Sequence, residues 1–265
     1  MKIIDANIHL PKQPNDINEV DFTTFDVLDS IKSLNLLLRK NNVEGGCVSV
    51  LDTNFIRRKD KSLISSLNNL GLKAVIMIDP RDKSWKKNIT LAKEFGFIGI
   101  KFHSYIQRID SNLDKKIIKI CKFASSLGML ITICCSYGTK DLYKYNGIRI
   151  ISEILNVIDT PILALHAGGK RVLDLMLIAE QSSNVYIDLS LSLSYYIGSS
   201  IENDIAFSIN KIGSKRWFYG SDHPYVNMNL SIKNTMKFLG RHGFKKNEIE
   251  NIMYKNGYNF FNKYK

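Results

Sequence analysis

Short apolar runs alternate with longer amphipathic stretches along the whole sequence, and this alternation limits the folds that the chain can adopt. Eight of the runs are rich in Ile, Val, Leu or Phe and end in a turn or a polar segment, as buried strands do. The predicted strands are Lys2–Leu10, Gly46–Asp52, Leu72–Asp79, Phe97–His103, Met129–Cys135, Pro161–His166, Asn184–Leu189 and Arg216–Ser221. They recur about every 30 residues, which is the size of one βα unit. The sequence therefore predicts an α/β fold with parallel strands.

The stretches between these strands have the periodicity of helices. Apolar residues in Thr24–Lys40 and Ser111–Leu127 are spaced by three and four residues, and Gly128 is a typical helix stop. Arg149–Ile158 and Arg171–Gln181 follow the same pattern. Eight such units predict a (β/α)8 TIM barrel. An open doubly wound sheet is the alternative, although no G-x-G-x-x-G follows the first strand.

Composition excludes several other classes of protein. With 45% apolar and 23% charged residues, the 265-residue chain is neither disordered nor collagen-like. No linker rich in Pro, Gly or Ser divides it, so we expect a single domain over residues 1–265. The most apolar stretch, Met129–Cys135, is far shorter than the roughly 20 residues that span a bilayer. No signal peptide is recognisable and the four cysteines form no CxxC pair, so we expect a cytoplasmic protein.

The formal net charge of +12 raises the question of a nucleic-acid partner. The basic residues are scattered, and no RNP, zinc-finger or basic-zipper pattern accompanies them. We therefore expect neither a nucleic-acid partner nor membrane association, while a homo-oligomer is compatible with the sequence. The positive charge would instead draw a small acidic substrate toward a cleft.

Four of the five histidines fall at or just after the ends of predicted strands, namely His9, His103, His166 and His223. In a parallel barrel these strand ends form the mouth where catalysis takes place. Because alternate residues of a strand share a face, Asp5 and Asn7 are expected to point the same way as His9. Lys101 is expected to point the same way as His103. Burying so many polar groups is costly unless they bind one another, a metal or a ligand, so together they predict a functional site.

Six segments also carry recognisable motifs in a fixed order along nearly the whole chain. They are Ile4–His9, Gly99–His103, Leu165–Gly169, Asn184–Ser190, Tyr219–Pro224 and Asn256–Phe261. In these segments the sequence resembles the amidohydrolase superfamily, specifically the amidohydrolase 2 family of metal-dependent hydrolases and decarboxylases. The resemblance implies a TIM barrel with its site at the C-terminal ends of the strands.

The resemblance further implies a divalent metal, most often zinc, which lowers the pKa of bound water and polarises the scissile group. It makes His9 and Asp222 metal ligands, and Asp222 is also the general base that takes the proton from water. Cys134 stands where the family has a histidine, and a thiolate is also a zinc ligand. Asn7 stands where the family has the first histidine of a His-x-His pair. The set of metal ligands is therefore incomplete, which makes this a divergent member.

The other predicted site residues act on the substrate. The resemblance implies that His166 holds or polarises it, and without a metal His103 joins in the acid–base work. Lys101 is expected to bind a substrate carboxylate or phosphate as a point charge. Carboxylation of Lys101 or a Schiff base are the alternatives. Three further residues are expected to bind substrate: Asn7, Tyr137 and Ser190.

Three functions are compatible with these residues. The first is an amidohydrolase-type hydrolase that cleaves an amide, ester or lactone in a small acidic substrate, with one divalent metal. The second is a metal-free lactonase or decarboxylase of the same superfamily. The third is a degenerate barrel that has kept the fold and serves as a binding or scaffold subunit, because fold alone does not fix function. The clustered polar residues favour the hydrolase.

Overall fold

The structure, a computed structural model, describes residues 1–10, 27–52, 55–58 and 61–264. Its strands are β1 (Ile3–His9), β2 (Val43–Val50), β3 (Leu72–Met77), β4 (Gly99–His103), β5 (Leu130–Cys134), β6 (Ile162–Leu165), β7 (Val185–Asp188) and β8 (Trp217–Phe218). They form one sheet, in which the order follows the sequence and each strand pairs with the next in parallel.

Hydrogen bonds between β1 and the chain that follows β8 close the sheet into a barrel. The amide of Ala6 donates to the carbonyl of Tyr219 at 2.9 Å, and the amide of Asp222 donates to the carbonyl of Asn7 at 2.9 Å. The predicted (β/α)8 TIM barrel is thus confirmed, and the open doubly wound sheet is wrong. The prediction of a single domain over 1–265 stays a prediction.

Helices follow the strands around the outside of the barrel. They are α1 (Val27–Lys40), α2 (Ser62–Asn68), α3 (Trp85–Phe95), α4 (Asp114–Ser126), α5 (Gly147–Leu155), α6 (Val172–Gln181), α7 (Ser192–Tyr196), α8 (Ser200–Ile212), α9 (Met228–Arg241), α10 (Lys246–Glu250) and α11 (Asn256–Phe261). Residues 24–26 of the first predicted helix lie outside the described residues. None of the helices in the described ranges is long and apolar enough to cross a membrane.

Seven of the eight strands end one to three residues earlier than the sequence pattern indicates, and two of these differences, at β6 and β8, affect the candidate site. β6 ends at Leu165 because His166 adopts a φ of 66°, which no strand residue has. β8 ends at Phe218 because the amide of Tyr219 donates to the carbonyl of Ile252 instead of to β7. Both departures lie where the chain carries the candidate site residues.

Apolar packing fills the barrel near the beginnings of its strands. Ile4 and Leu130 belong to a cluster that also contains Phe260 and Phe261 of α11. A larger apolar cluster joins the strands to the surrounding helices. The opposite ends of the strands are left for polar side chains, which is where TIM barrels build their sites.

Candidate active site

Buried polar side chains meet at the C-terminal ends of the strands. They are Asn7 and His9 on β1, Ser49 on β2, Lys101 and His103 on β4, Cys134 on β5, His166 after β6, Asp188 on β7 and Asp222 after β8. Each is at most 5% exposed. The strand ends at which the sequence predicted a site therefore lie together at one mouth of the barrel, and the predicted catalytic side chains are buried there.

Asp222 is held by two neighbours on β1. Its Oδ1 lies 3.2 Å from Nε2 of His9 and accepts a hydrogen bond from Nδ2 of Asn7 at 2.9 Å. Burial alone would raise the pKa of Asp222, but the positive charge of His166 and the hydrogen bond from His9 outweigh it and hold that pKa well below its usual range. Asp222 is therefore a carboxylate at neutral pH.

His9 itself is neutral near pH 7. Burial and the nearby charge of Lys101 lower the pKa of His9 to about 4, although its contact with Asp222 acts in the opposite direction. A neutral ring that donates from Nε2 has an unprotonated Nδ1. Among the described residues this buried Nδ1 has no hydrogen-bond partner.

A second chain of contacts runs from Lys101 to Asn7. The Lys101 ammonium donates to Oγ of Ser49 at 2.9 Å, and Ser49 donates to Oδ1 of Asn7 at 3.2 Å. The Lys101 side chain is fully buried, and this burial lowers its pKa, whereas the negative charges of Cys134 and Asp222 act to raise it. Lys101 thus lies inside the site and not at its rim.

Strand β7 and the residues after it hold His166. Its backbone amide donates to Oδ1 of Asp188 at 2.6 Å, and its Nδ1 lies 2.9 Å from Oγ of Ser190. Ser190 donates its hydroxyl proton to Asp188, so it accepts from His166 and Nδ1 carries a proton. Burial would lower the pKa of His166, but the charges of Asp222 and Cys134 raise it to about 9. His166 is therefore an imidazolium ion near pH 7.

Cys134 lies between two histidines. It is the register partner of His103 across β4 and β5, and the Leu165 opposite it on β6 directly precedes His166. Burial disfavours its ionisation, but the charges of His103 and His166 and their hydrogen bonds lower the pKa of the Cys134 thiol well below its ordinary value. Its Sγ also lies 3.1 Å from Oγ of Ser136. Ionisation of the Cys134 thiol is thus favoured beside the His166 imidazolium.

The backbone is strained at the carboxylate Asp222 and at the imidazolium His166. Asp222 and His166 have φ values of 61° and 66°, in the left-handed region that residues with a side chain rarely adopt. Such conformations cost on the order of 1–3 kcal/mol and concentrate at functional sites. The fold therefore holds this carboxylate and this imidazole in place at an energetic cost.

Tyr137 and His103, two of the predicted site residues, contact neighbouring side chains. The hydroxyl of Tyr137 donates to Oδ1 of Asn146 at 2.9 Å, and the same oxygen caps the first turn of α5. His103 packs edge-on against Tyr105, with the ring centroids 4.6 Å apart, and its buried Nδ1 has no partner among the described residues. The substrate-binding role of Tyr137 and the catalytic role of His103 stay predictions.

Ser49 and Asp188 lie in the site without having been predicted as site residues. Each could have been found from the sequence, because it is a polar residue near the C-terminal end of a predicted strand. Burial raises the pKa of Asp188 to about 6. Its Oδ2 is buried and has no partner among the described residues.

The residues present do not fit the metal that the resemblance implies. Over the described part of the chain, no three His, Cys, Asp or Glu side chains are grouped so that they could hold a metal ion. Asn7 turns its amide nitrogen, a donor, toward Asp222 and its oxygen toward Ser49. The predicted ligands His9, Asp222 and Cys134 thus lack the complete set of inward-facing donors that a zinc site needs.

No protein-family model matches the sequence, and a search of curated proteins found no match. Solved structures do resemble the fold. A probable 2-pyrone-4,6-dicarboxylic acid hydrolase from Acinetobacter baumannii, with citric acid bound, has a TM-score of 0.67 and 15% identity, covering 99% of this chain and 100% of that one. A 2,6-dihydroxybenzoate decarboxylase from Rhizobium has a TM-score of 0.63 and 11% identity, covering 99% of both chains.

An amidohydrolase from Burkholderia multivorans with bound zinc is also similar. Its TM-score is 0.66 at 10% identity, and the match covers 97% of each chain. At such low identity the likeness shows that this chain shares the barrel of these proteins along nearly its whole length. The names of the neighbours agree with the resemblance seen in the motifs.

Proposed function

We propose that this chain is an enzyme of the amidohydrolase 2 family that hydrolyses an ester or lactone in a small substrate bearing carboxylate groups. The observation that carries the proposal is the Asp222 carboxylate, fixed by His9 and Asn7 and placed next to the His166 imidazolium. Hydrolysis requires a deprotonated base and a protonated acid that are both present at the same pH.

The proposed base is Asp222. Hydrogen bonds from His9 and Asn7 to Oδ1 fix the orientation of the carboxylate. A water molecule beside Asp222 would lose its proton to the carboxylate as its oxygen attacks the substrate carbonyl. The low pKa of Asp222 makes it a weak base, so the reaction suits an activated ester or lactone better than an amide.

The proposed acid is His166. Its Nδ1 is occupied by Ser190, so Nε2, the ring nitrogen that meets Cys134, is the one that would give its proton to a substrate bound between them. As the tetrahedral intermediate collapses, the carbonyl carbon–oxygen bond to the leaving group breaks, and that oxygen takes the proton from Nε2. The proton held by Asp222 then returns to His166. Overall, one water and one ester bond give one acid and one alcohol.

The preference for an acidic substrate follows from charge. The chain as a whole carries a net charge of +12, which draws anions toward it, and the protonated His166 at the mouth can pair with a substrate carboxylate. The neighbours named for a dicarboxylic acid hydrolase and a dihydroxybenzoate decarboxylase support this class of substrate.

Decarboxylation is the second candidate, because one of the similar barrels is a decarboxylase. The two reactions differ in their products, since only decarboxylation releases carbon dioxide. A screen of carboxylated lactones, esters and aromatic acids, followed for both acid release and carbon dioxide, distinguishes them. A degenerate barrel would turn over none of these compounds.

The decisive variant is Asp222→Asn, which keeps the size of the side chain but cannot take the proton. We expect a loss of roughly 10²–10⁴-fold in kcat. Asp159→Asn is the matched control, because Asp159 is exposed in the loop between α5 and β6, at the end of the barrel opposite the mouth. A folded Asp222→Asn protein that keeps near-parental kcat would show that the base is another group.

A further inference from the structure

We propose that a hydrogen-bonded chain headed by Lys101, running through Ser49 and Asn7 to Asp222, takes the place of a divalent metal in this site. Its components are the protein's own: a buried cation, a hydroxyl and an amide. The site would accordingly hold its base in position without a metal ion.

The direction of the hydrogen bonds in this chain is fixed from the lysine end. Nζ of Lys101 donates to the Ser49 hydroxyl, so Ser49 accepts at this contact and sends its own proton onward. That proton goes to Oδ1 of Asn7, 3.2 Å away. Because Oδ1 faces Ser49, the amide nitrogen is the atom that faces Asp222, at 2.9 Å, and Ser190, at 3.1 Å. The lysine thus dictates which end of the Asn7 amide meets the carboxylate.

This orientation works against a metal in two ways. The Asn7 oxygen, its only metal-binding atom, is engaged by Ser49, and the NH₂ group has no lone pair to offer. Oδ1 of Asp222 already accepts from Asn7 and lies 3.2 Å from His9 Nε2. A zinc ion at this oxygen would have to displace both donors, because it needs ligand atoms at about 2.0–2.3 Å.

The charges around Lys101 also work against metal binding. Lys101 is fully buried, and the charges of Cys134, Asp222 and Asp188 are the ones that favour its ammonium form. A buried cation is tolerated when anions surround it. A divalent ion among the same anions would compete with the ammonium for them and would be repelled by it. Part of the negative charge of the site is thus already offset by a side chain of the protein.

The test is metal binding by the full-length protein, which needs no substrate. The protein is expressed with added zinc and purified without chelator, and bound metals are measured by mass spectrometry. A titration with Co²⁺ then shows, by cobalt–thiolate absorbance, whether Cys134 binds metal. We expect well under one metal per chain and no cobalt–thiolate band. One metal per chain that is lost in Cys134→Ser and in Asp222→Asn would overturn the proposal.

A second set of variants tests the role of the hydrogen-bonded chain that runs from Lys101 to Asp222. The Asn7→His/Lys101→Met double variant removes both obstacles and supplies an imidazole, so we expect it to bind zinc roughly tenfold more tightly than the parent, or better. Lys119→Met on α4, where the lysine is exposed, is the matched control and should bind zinc as the parent does. If the double variant fails to fold, the single variants Asn7→His and Lys101→Met each make the comparison for one of the two obstacles.

Equal zinc affinity in the parent and in the folded double variant would show that Lys101 and Asn7 do not keep a metal out. Because the readout is metal binding, a failed search for substrates would leave this result intact. Conversely, a metal found in the parent would not disprove hydrolysis.

Discussion

Gly220 lies so close to Asp188 that a Cβ atom on the glycine would come within 2.2 Å of Oδ2 of the carboxylate. Asp188 accepts hydrogen bonds from the His166 amide at 2.6 Å and from the Ser190 hydroxyl at 2.9 Å. The missing side chain at position 220 therefore makes room for the carboxylate that holds the proposed acid in place.

Gly220→Ala should accordingly displace Asp188 and destabilise the protein. Overpacking at a buried position costs about 1–3 kcal/mol, and we expect a loss of this size in the free energy of unfolding measured with urea. Gly240→Ala in α9 is the control, because a Cβ there meets no atom of the described residues within 4 Å. Alanine is the better helix former, so the control should gain about 0.5–1 kcal/mol. Equal stability of the two variants would contradict the crowding at Gly220.

Ser49→Ala should destabilise the fold by breaking the link between Lys101 and Asn7. The buried Lys101 ammonium would lose its acceptor at 2.9 Å, and an unsatisfied buried group costs about 1–3 kcal/mol, or more when charged. Ser65→Ala on α2, where the serine is exposed, should change stability by less than about 0.5 kcal/mol. Thermal and urea unfolding of the two variants provide the comparison. A Ser49→Ala protein as stable as the control would mean that Lys101 has another acceptor.

The architecture was largely predictable because one signal repeats eight times. Each buried strand of a parallel barrel is an apolar run, and most of the observed strands lie within the predicted runs to one or two residues. The position of the site was predictable for the same reason, since polar residues such as His9 and Lys101 interrupt the apolar pattern at strand ends.

The contacts between side chains within the site could not be predicted from the sequence. Asn7 and Asp222 are 215 residues apart, and no local pattern reports which end of an amide faces a distant carboxylate. The left-handed backbone of His166 likewise depends on the distant Asp188, whose carboxylate accepts a hydrogen bond from the His166 amide. The cytoplasmic location, the absence of a nucleic-acid partner and the oligomeric state stay predictions.

Cys134 should be the ionised thiol of this protein. The charges of His103 and His166 outweigh the burial that opposes ionisation and lower its pKa, whereas burial raises the pKa of its neighbour Cys135 well above the ordinary value. We expect the ultraviolet absorbance of a thiolate near pH 7 in the parent and in Cys135→Ser, and its loss in Cys134→Ser. Because absorbance does not need a reagent to enter the site, burial does not obscure the result. A thiolate signal that survives in Cys134→Ser would refute the assignment.

The contribution of His166 to stability should depend on pH. Its pKa rises from 6.5 to about 9 in the folded protein, because the charges of Asp222 and Cys134 outweigh burial. A group whose pKa is higher in the folded state stabilises that state fully below its unfolded pKa, and this stabilisation is lost as the pH rises through the folded value. The loss should therefore occur between pH 6.5 and about 9.

The comparison that isolates this effect is between Cys134→Ser and Cys134→Ser/His166→Gln, because Cys134, whose own ionisation depends on the charge of His166, is absent from both proteins. Urea unfolding across this pH range should show the advantage of the protein that keeps His166 shrinking as the pH rises, by at most about 3 kcal/mol in total, because Asp222 still raises the pKa of His166. Glutamine keeps a hydrogen-bonding side chain but cannot carry the charge, so the difference reports the imidazolium. If the gap between the two proteins stayed constant, or widened, from pH 6.5 to 9, His166 would not be protonated in the folded state, and the acid in the proposed hydrolysis would have to be sought elsewhere in the site.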